Sequence, residues 1–299
     1  MTNRGQFAQL LSAGLMVGNW DVLKQHSEEF TDICEVETSN KPYEEYQSFY
    51  SFGTVQKKPE GTPIVYDDPG QGGSKRVIMD TYALGWLSTS EMLADDQYGK
   101  IRQVPKELMP SLMYVVETTA ANLLNLGFTS VTTADGVSLF NKTHPLLGPQ
   151  GGNQSNQHAS NSPLSQTALT DMLIIAENFV NERNLKRYIR PTTIHIPPDT
   201  QWIAKKILRS DNEPTTGNND INVTKGIVEM KIHHYFTSTT AWYLSTKGTN
   251  KLCFYWRKKP FTEAADDFDT KGVKHSIDAR WGAVAYDYKG WFGSTGVGS

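Results

Sequence analysis

The apolar positions of the chain follow a helical period in its middle and a strand period near its end. The cleanest helical period covers residues 104–128, "VPKELMPSLMYVVETTAANLLNLGF", where Leu108, Leu112, Val115, Val116, Thr119, Ala120 and Leu123 share one face. Pro110 stands near the start, where a helix tolerates it best, and Gly127 is placed to stop it. A second helix is predicted over 165–184, with Leu169, Met172, Leu173, Ala176, Phe179 and Val180 in phase and Ser165 as N-cap. The short strand "TTIHI" follows, ended by Pro197 and Pro198, and then a third helix, "DTQWIAKKILRS", with Asp199 at its head. Beyond residue 226 the period becomes two. "GIVEMKIHHYF", "AWYLST", "KLCFYWRKK" and "HSIDARWGAVAYDY" read as strands, the last alternating Ala279, Trp281, Ala283 and Ala285 against Arg280, Gly282, Val284 and Tyr286. With no repeating βα unit and no internal repeat, the order of elements predicts an α+β fold.

Three stretches do not carry enough apolar surface to make a core of their own. Residues 6–33 read as an amphipathic arm interrupted by Gly14 and Gly18. Residues 54–82 read as a projecting β-hairpin, with β-prone runs at Ile64–Tyr66 and Val77–Met79 and a glycine-rich tip near Gly70–Gly73. Residues 135–165 pass from Leu139 and Phe140 through His144–Pro145 into a long run of Gly, Asn, Gln and Ser, predicted to be a linker and assembly surface. Such parts make sense if other copies of the same chain cover them.

Composition narrows the class. At 299 residues, 38% apolar and 20% charged, the chain can fill a packed core. A net charge of −3 without a basic block gives no sign of a sequence-specific nucleic-acid binder. Two distant cysteines, Cys34 and Cys253, exclude a disulfide framework and fit a reducing cytoplasm. The N-terminus lacks the pattern of a signal peptide, and no run of about 18 apolar residues suggests a membrane span.

Candidate chemistry is sparse. "GQGGSK" at 70–75 lacks phosphate-loop spacing and reads as a turn. No G-x-S-x-G, H-E-x-x-H or C-x-x-C motif occurs. His233 and His234 are adjacent, so on a strand they would point to opposite faces. The pairs Asp67–Asp68, Asp95–Asp96 and Asp266–Asp267 read as solvated turn carboxylates. Asn141 and Asn222 head glycosylation sequons that mean little without a secretory signal. His144 would suit a general base with a nearby carboxylate, but the structural reading is preferred: a neutral ring, fixed by Pro145, satisfying backbone groups as the chain leaves the core. No catalytic, cofactor-binding or metal-binding residue is therefore assigned.

The ordered set of motifs nevertheless resembles a family. "NLLNLGF", "ADGVSLFNKTHP" and a Gly/Asn-rich run into "LSQTALTDML", then "TTIHIPPDTQWIAKKIL", then "AWYLST", "FYWRKKP" and "DARWGAVAYDYKGWFGS" resemble the tailed-bacteriophage major capsid (head) proteins, closest to the Mu-type major head subunits. The resemblance spans most of residues 104–293 and implies an HK97-like fold. In that fold residues 1–40 would be the N-terminal arm. Residues 41–100 would begin the peripheral domain and include the extended loop at 54–82. Residues 101–159 would hold the spine helix and the crossing segment, 160–248 the axial domain, and 249–299 the return strands of the peripheral domain. The long scaffolding segment of many relatives has no counterpart at the N-terminus, and no Lys–Asn pair is marked for covalent crosslinking.

The resemblance implies a structural protein without cofactors that self-assembles as hexamers and pentamers into an icosahedral shell around double-stranded DNA. Expected partners are a separate scaffolding protein, a portal, an optional decoration protein, and DNA contacted non-specifically by a neutral or acidic inner wall, with no membrane. The location implied is the virion capsid, assembled in the host bacterial cytoplasm. Two alternatives remain open at the level of sequence: an encapsulin-type nanocompartment shell around a cargo enzyme, and a hydrolytic enzyme using His144.

Overall fold

The computed structural model describes residues 28–298, apart from 97, 98, 100, 150, 213–219, 250 and 270. Most of the stretch expected to be an amphipathic arm thus lies outside the described residues. What is described of it ends in a single helical turn, α1 (Phe30–Ile33), which buries Phe30 and Ile33.

Four strands form the first sheet: β1 (Glu35–Thr38), β4 (Asp80–Ser88), β10 (Leu252–Asp266) and β11 (Val273–Ala285), in the order β1-β10-β11-β4. β1 runs parallel to β10, and the other pairs are antiparallel. The expected two-faced character of "KLCFYWRKK" holds. Leu252, Phe254 and Trp256 enter the main core, while Cys253 and Tyr255 join Val77, Met79, Val284 and Tyr286 in a smaller cluster on the other face. A strand buried on both faces needs a layer on each side. Here α3 (Leu108–Asn125) covers one face and the foot of a hairpin covers the other.

The second sheet has the order β12-β9-β7-β8, from β7 (Thr193–Ile196), β8 (Glu229–Ile232), β9 (Trp242–Ser245) and β12 (Trp291–Ser294). It packs with α4 (Gln166–Glu177) and α5 (Gln201–Arg209). Both sheets and all three of these longer helices feed one continuous hydrophobic core. β12, close to the end of the chain, closes this second sheet. Trp291 and Phe292 are fully buried, and their strand pairs with β9.

α3 carries the predicted apolar face, preceded by a 3-10 turn over Ile101–Glu107. Its hydroxyls are internally satisfied: Thr118 and Thr119 donate to the Val115 carbonyl at 3.1 and 2.6 Å. The helix touches both sheets, since Tyr243 Oη donates to the Leu124 carbonyl (3.3 Å) and Phe254 and Trp281 lie in its core. Gly127 serves contact rather than helix reversal. A Cβ there would meet the Phe140 ring at 2.8 Å, so glycine lets that ring close under the helix end.

α4 is shorter than its apolar period. Ser165 caps it as expected, accepting from Ala168 N at 3.1 Å. It stops at Glu177 because the next residues make a different set of bonds. The Asn181 side chain accepts from the backbone N–H of Arg183 and Leu185, both at 2.9 Å, and Asn184 adopts φ 58°. A helix accommodates neither feature.

Two strands were not legible as such. β2 (Tyr43–Tyr50) pairs antiparallel with β3 (Gly70–Ile78), and this pair is the real hairpin. The glycine run expected at a tip lies inside β3. A Cβ on Gly70 would fall 2.0 Å from Tyr50 Oη, and one on Gly73 only 1.7 Å from the Ala134 carbonyl. These glycines therefore allow close packing and do not make a turn. The turn lies at Pro59–Thr62, where Gly61 has φ 77° and Thr62 N donates to the Pro59 carbonyl. Ile64–Tyr66 is not a strand and lies in the exposed excursion between β2 and β3.

Candidate assembly surface

Nineteen residues, 51–69, leave the β2–β3 stem without regular structure. Their apolar side chains face outward: Val55 is 99% exposed, Tyr66 89%, and Phe52, Ile64 and Val65 are also exposed. Apolar groups held together in water on a projecting loop mark a contact surface.

The neck of this loop is built by one residue the sequence did not mark. Arg183, itself 7% exposed, donates from Nε to the Ser51 carbonyl (3.0 Å) and from Nη2 to Asp67 Oδ1 (3.1 Å) and the Asp68 carbonyl (2.6 Å). Asp67 Oδ2 in turn accepts from Gly53 N at 2.7 Å. That bond, working against slight desolvation and helped by Arg183, holds the Asp67 carboxyl below its ordinary pKa. Asp67 is thus a neck ligand rather than an idle turn carboxylate. The guanidinium ties both legs of the loop to the body at one point.

His144 is completely buried, and its partners differ from those expected. It meets side chains rather than backbone groups. Nδ1 lies 2.5 Å from Asp135 Oδ2 and Nε2 lies 3.0 Å from Asn156 Oδ1, and the ring stacks on Tyr288 with centroids 3.7 Å apart. Asn156 is fully committed. Its Oδ1 also accepts from Asn141 N, and its Nδ2 donates to the Leu139 and Trp291 carbonyls at 2.7 and 3.0 Å. Thr133 Oγ1 donates to Asp135 Oδ1 at 2.5 Å. Burial pushes the Asp135 carboxyl up, but the bonds from His144 and Thr133 outweigh it and keep the group below its ordinary pKa. A base, a carboxylate and an amide stand in line, yet the ring is sealed from solvent and both of its nitrogens are engaged. The ring and its partners form a closed, buried network. The tract at 135–165 is accordingly more than linker: Asn156 and His158 are buried and stitch it to β12 through the Gly293 backbone.

The remaining candidates fall into place. Lys75 of "GQGGSK" donates to Thr132 Oγ1 at 2.7 Å from within β3, so no phosphate cradle exists there. His233 and His234 lie just past β8 and do not point apart. Both reach Glu29, His234 Nδ1 at 2.5 Å from Oε1 and His233 Nδ1 at 3.7 Å from Oε2. Burial would raise the Glu29 carboxyl, but the two rings and the His234 N–H outweigh it and lower it. His233 Nε2 lies 2.8 Å from His195 Nδ1, and burial holds His195 well below its ordinary pKa. Glu117 on α3 accepts from Glu29 N at 3.1 Å. Asp96 Oδ2 accepts from Ile101 N, and Asp267 pairs with Lys274 at 2.7 Å. Asn222 is buried, donating to the Ile207 and Ser210 carbonyls, which leaves its amide nitrogen engaged. Among the described residues no group of three or more His, Cys, Asp or Glu is arranged to hold a metal, and no helix is long and apolar enough to cross a membrane.

With this geometry in hand, comparison with known proteins is informative. The family described as phage capsid protein matches residues 74–293. No curated protein matches the sequence. Among solved structures, the chain is similar to the capsid of Cyanophage P-SCSP1u (TM-score 0.62, 10% identity, 94% of this chain and 92% of that chain covered). It is also similar to the capsid of bacteriophage JBD30 decorated with minor capsid protein trimers (TM-score 0.63, 11% identity, 79% and 100% covered) and to the capsid of an empty GTA particle (TM-score 0.59, 9% identity, 97% and 96% covered). At such identities the structures speak for the fold: the HK97-like α+β architecture.

Proposed function

Because the chain belongs to the phage capsid protein family, it is a structural shell protein of the tailed-phage major capsid kind, and we propose that the 51–69 loop is its main inter-subunit element. The observation that carries the proposal is the pairing of a rigid neck with an apolar exterior. Arg183 fixes where the loop leaves the body, and Val55, Ile64, Val65 and Tyr66 then stand largely exposed. A shell built from such loops needs no single tight patch, since many weak contacts acting together close it.

We read the shell as hexamers and pentamers around double-stranded DNA contacted non-specifically. Scaffolding and portal proteins are separate chains, and the capsid is assembled in the host cytoplasm. The Mu-type grouping rests on the ordered sequence motifs. No enzymatic activity is assigned, in keeping with the sealed surroundings of His144. The test is to replace residues 53–66 by a short turn that leaves both stem strands and the Arg183 contacts to Ser51 and Asp67 in place. The expected result is a folded subunit, unchanged in circular dichroism, that forms no closed particles by negative-stain microscopy. Normal particles from that variant would refute the loop's role. Particles filled with a protein cargo instead of DNA would transfer the reading to a nanocompartment shell.

A further inference from the structure

We propose that the two ends of the β10–β11 pair bind one another between neighbouring copies of the chain, a basic loop at 186–190 of one copy receiving the acidic β10–β11 turn of the next. The inference rests on the shell reading and names one of its contacts.

The basic end lies beside the C-terminal end of β11. Lys289, a few residues beyond Ala285, pairs with Glu182, and Arg187 is close enough to act on its charge. A groove of about 340 Å³ is lined there by Phe49, Glu182, Arg183, Lys186, Arg187 and Lys289 among others. Two of its cations are already used: Arg183 by Asp67 and the loop neck, Lys289 by Glu182 and Asp287. Lys186, Arg187 and Arg190 are exposed and form no ion pair among the described residues. Among the described residues Lys186 Nζ bonds only the Asn178 carbonyl and side-chain oxygens. Tyr188 stands among these three cations, 85% exposed, while Ile189 anchors the loop in the core.

The acidic end is the opposite tip of the same two strands. Glu263, Asp266 and Asp269 are exposed and likewise enter no ion pair among the described residues, whereas Asp267 pairs with Lys274. Phe268 projects at the turn, 82% exposed, with Lys271 Nζ over its ring at 4.1 Å. The basic end thus offers three uncommitted cations, the acidic end three uncommitted carboxylates against the single cation Lys271, and each end an exposed aromatic ring.

The two ends cannot meet within one subunit. β11 runs 13 residues from Val273 to Ala285, roughly 40 Å at about 3.3 Å per residue. Opposite charges about 40 Å apart, one set at the tip of the ladder and the other on a loop beside its far end, are satisfied by head-to-tail contact with another copy, and repeated head-to-tail contacts close rings where the rotation closes. Such a contact also sets register and partner choice more than raw affinity.

The test is a charge swap in the full chain. Three proteins are compared with the wild type: Lys186→Glu/Arg187→Glu/Arg190→Glu, Glu263→Lys/Asp266→Lys/Asp269→Lys, and all six together. Circular dichroism and thermal unfolding check that each folds, and light scattering and microscopy measure particle yield at low and at 0.5 M salt. Each reversal alone should lower yield at low salt by about tenfold or more, and the six-fold swap should restore most of it. Normal assembly by either single-end variant, or a combined variant no better than its parents, overturns the contact while leaving the shell reading intact. Loss of packaged nucleic acid from otherwise normal particles of the basic-loop variant overturns it too, in favour of DNA binding there. Absence of particles from the wild type itself overturns the shell reading and this contact with it.

Discussion

The buried His144 network makes a quantitative prediction about stability. Replacing His144 by Gln leaves one amide where a ring bridged two acceptors 2.5 and 3.0 Å from its two nitrogens. Gln can donate toward Asp135 or toward Asn156 but cannot span both, and it loses the stack on Tyr288. Leaving the buried Asp135 carboxylate without its hydrogen-bonded partner costs about 3–5 kcal/mol, and an aromatic stack of this kind contributes about 0.5–1.5 kcal/mol. With one of the two bonds retained, His144→Gln should cost about 3 kcal/mol and His144→Ala about 5 kcal/mol. At roughly 2–4 °C per kcal/mol, the Gln variant should melt roughly 6–12 °C below the wild type. The assay is thermal unfolding of the soluble subunit at pH 7, together with Asp135→Asn and the double variant. The double variant should be less destabilised than the sum of the two, by about 1–3 kcal/mol, because the residues share one bond. The pH dependence has a definite sign. Asp135 titrates below its ordinary value in the folded chain, so its stabilisation is complete above about pH 4 and is lost as pH falls through the lower folded value. A Gln variant that melts within a degree of the wild type, or a strictly additive double variant, would refute the account.

Two further perturbations address other joints. Burial pushes the Glu117 carboxyl up to about 7, against the bonds it accepts from the Glu29 and Phe30 backbones. Its folded value lies above the unfolded one, so its contribution is full below the unfolded pKa and falls as pH rises toward 7. Glu117→Gln keeps the acceptor and removes the titration. That variant should be at least as stable as the wild type at pH 8, and a lower melting temperature there would contradict this. Arg183→Met should open the loop neck with little change in global melting. Tryptic cleavage after Lys57 should speed up several-fold, since local opening governs proteolysis of an exposed loop. Cleavage at the wild-type rate would show that the neck is held by something else.

Where one element buried its own apolar face, the sequence could be read directly. α3, β7, β9 and the inner halves of β10 and β11 carry their periods because each packs against this chain's own core. The fold class and the family rest on those segments. The glycines at 70–73 were misread because a glycine in a turn and a glycine beneath a neighbouring backbone look alike in sequence, and only the approach to Ala134 and Tyr50 separates them. α4 was drawn too long because Phe179 and Val180 stay in phase after Asn181 has turned the chain. Asn156 and Arg183 left no trace in any period. Their roles depend on partners 12 to 135 residues away, such as His144 and Trp291 for one and Ser51 for the other.

A different reason underlies the reading of Ile64–Tyr66 as a strand. β-branched and aromatic residues are enriched in strands because they fit a pleated, half-covered surface. Within the described chain no strand pairs with this segment, and its side chains stay in water. The propensity is present, and no strand among the described residues answers it. β2 shows the converse: alternating exposed and half-buried residues with Glu44 and Glu45 near its start, a weak pattern made a strand by its pairing with β3. A chain that completes its folding surface through copies of itself will carry segments whose local preference exceeds what one subunit can satisfy. On this reasoning the unmet preference at Ile64–Tyr66 supports the proposed interface there, and the Arg183 neck would keep that segment presented outward for a second copy to cover.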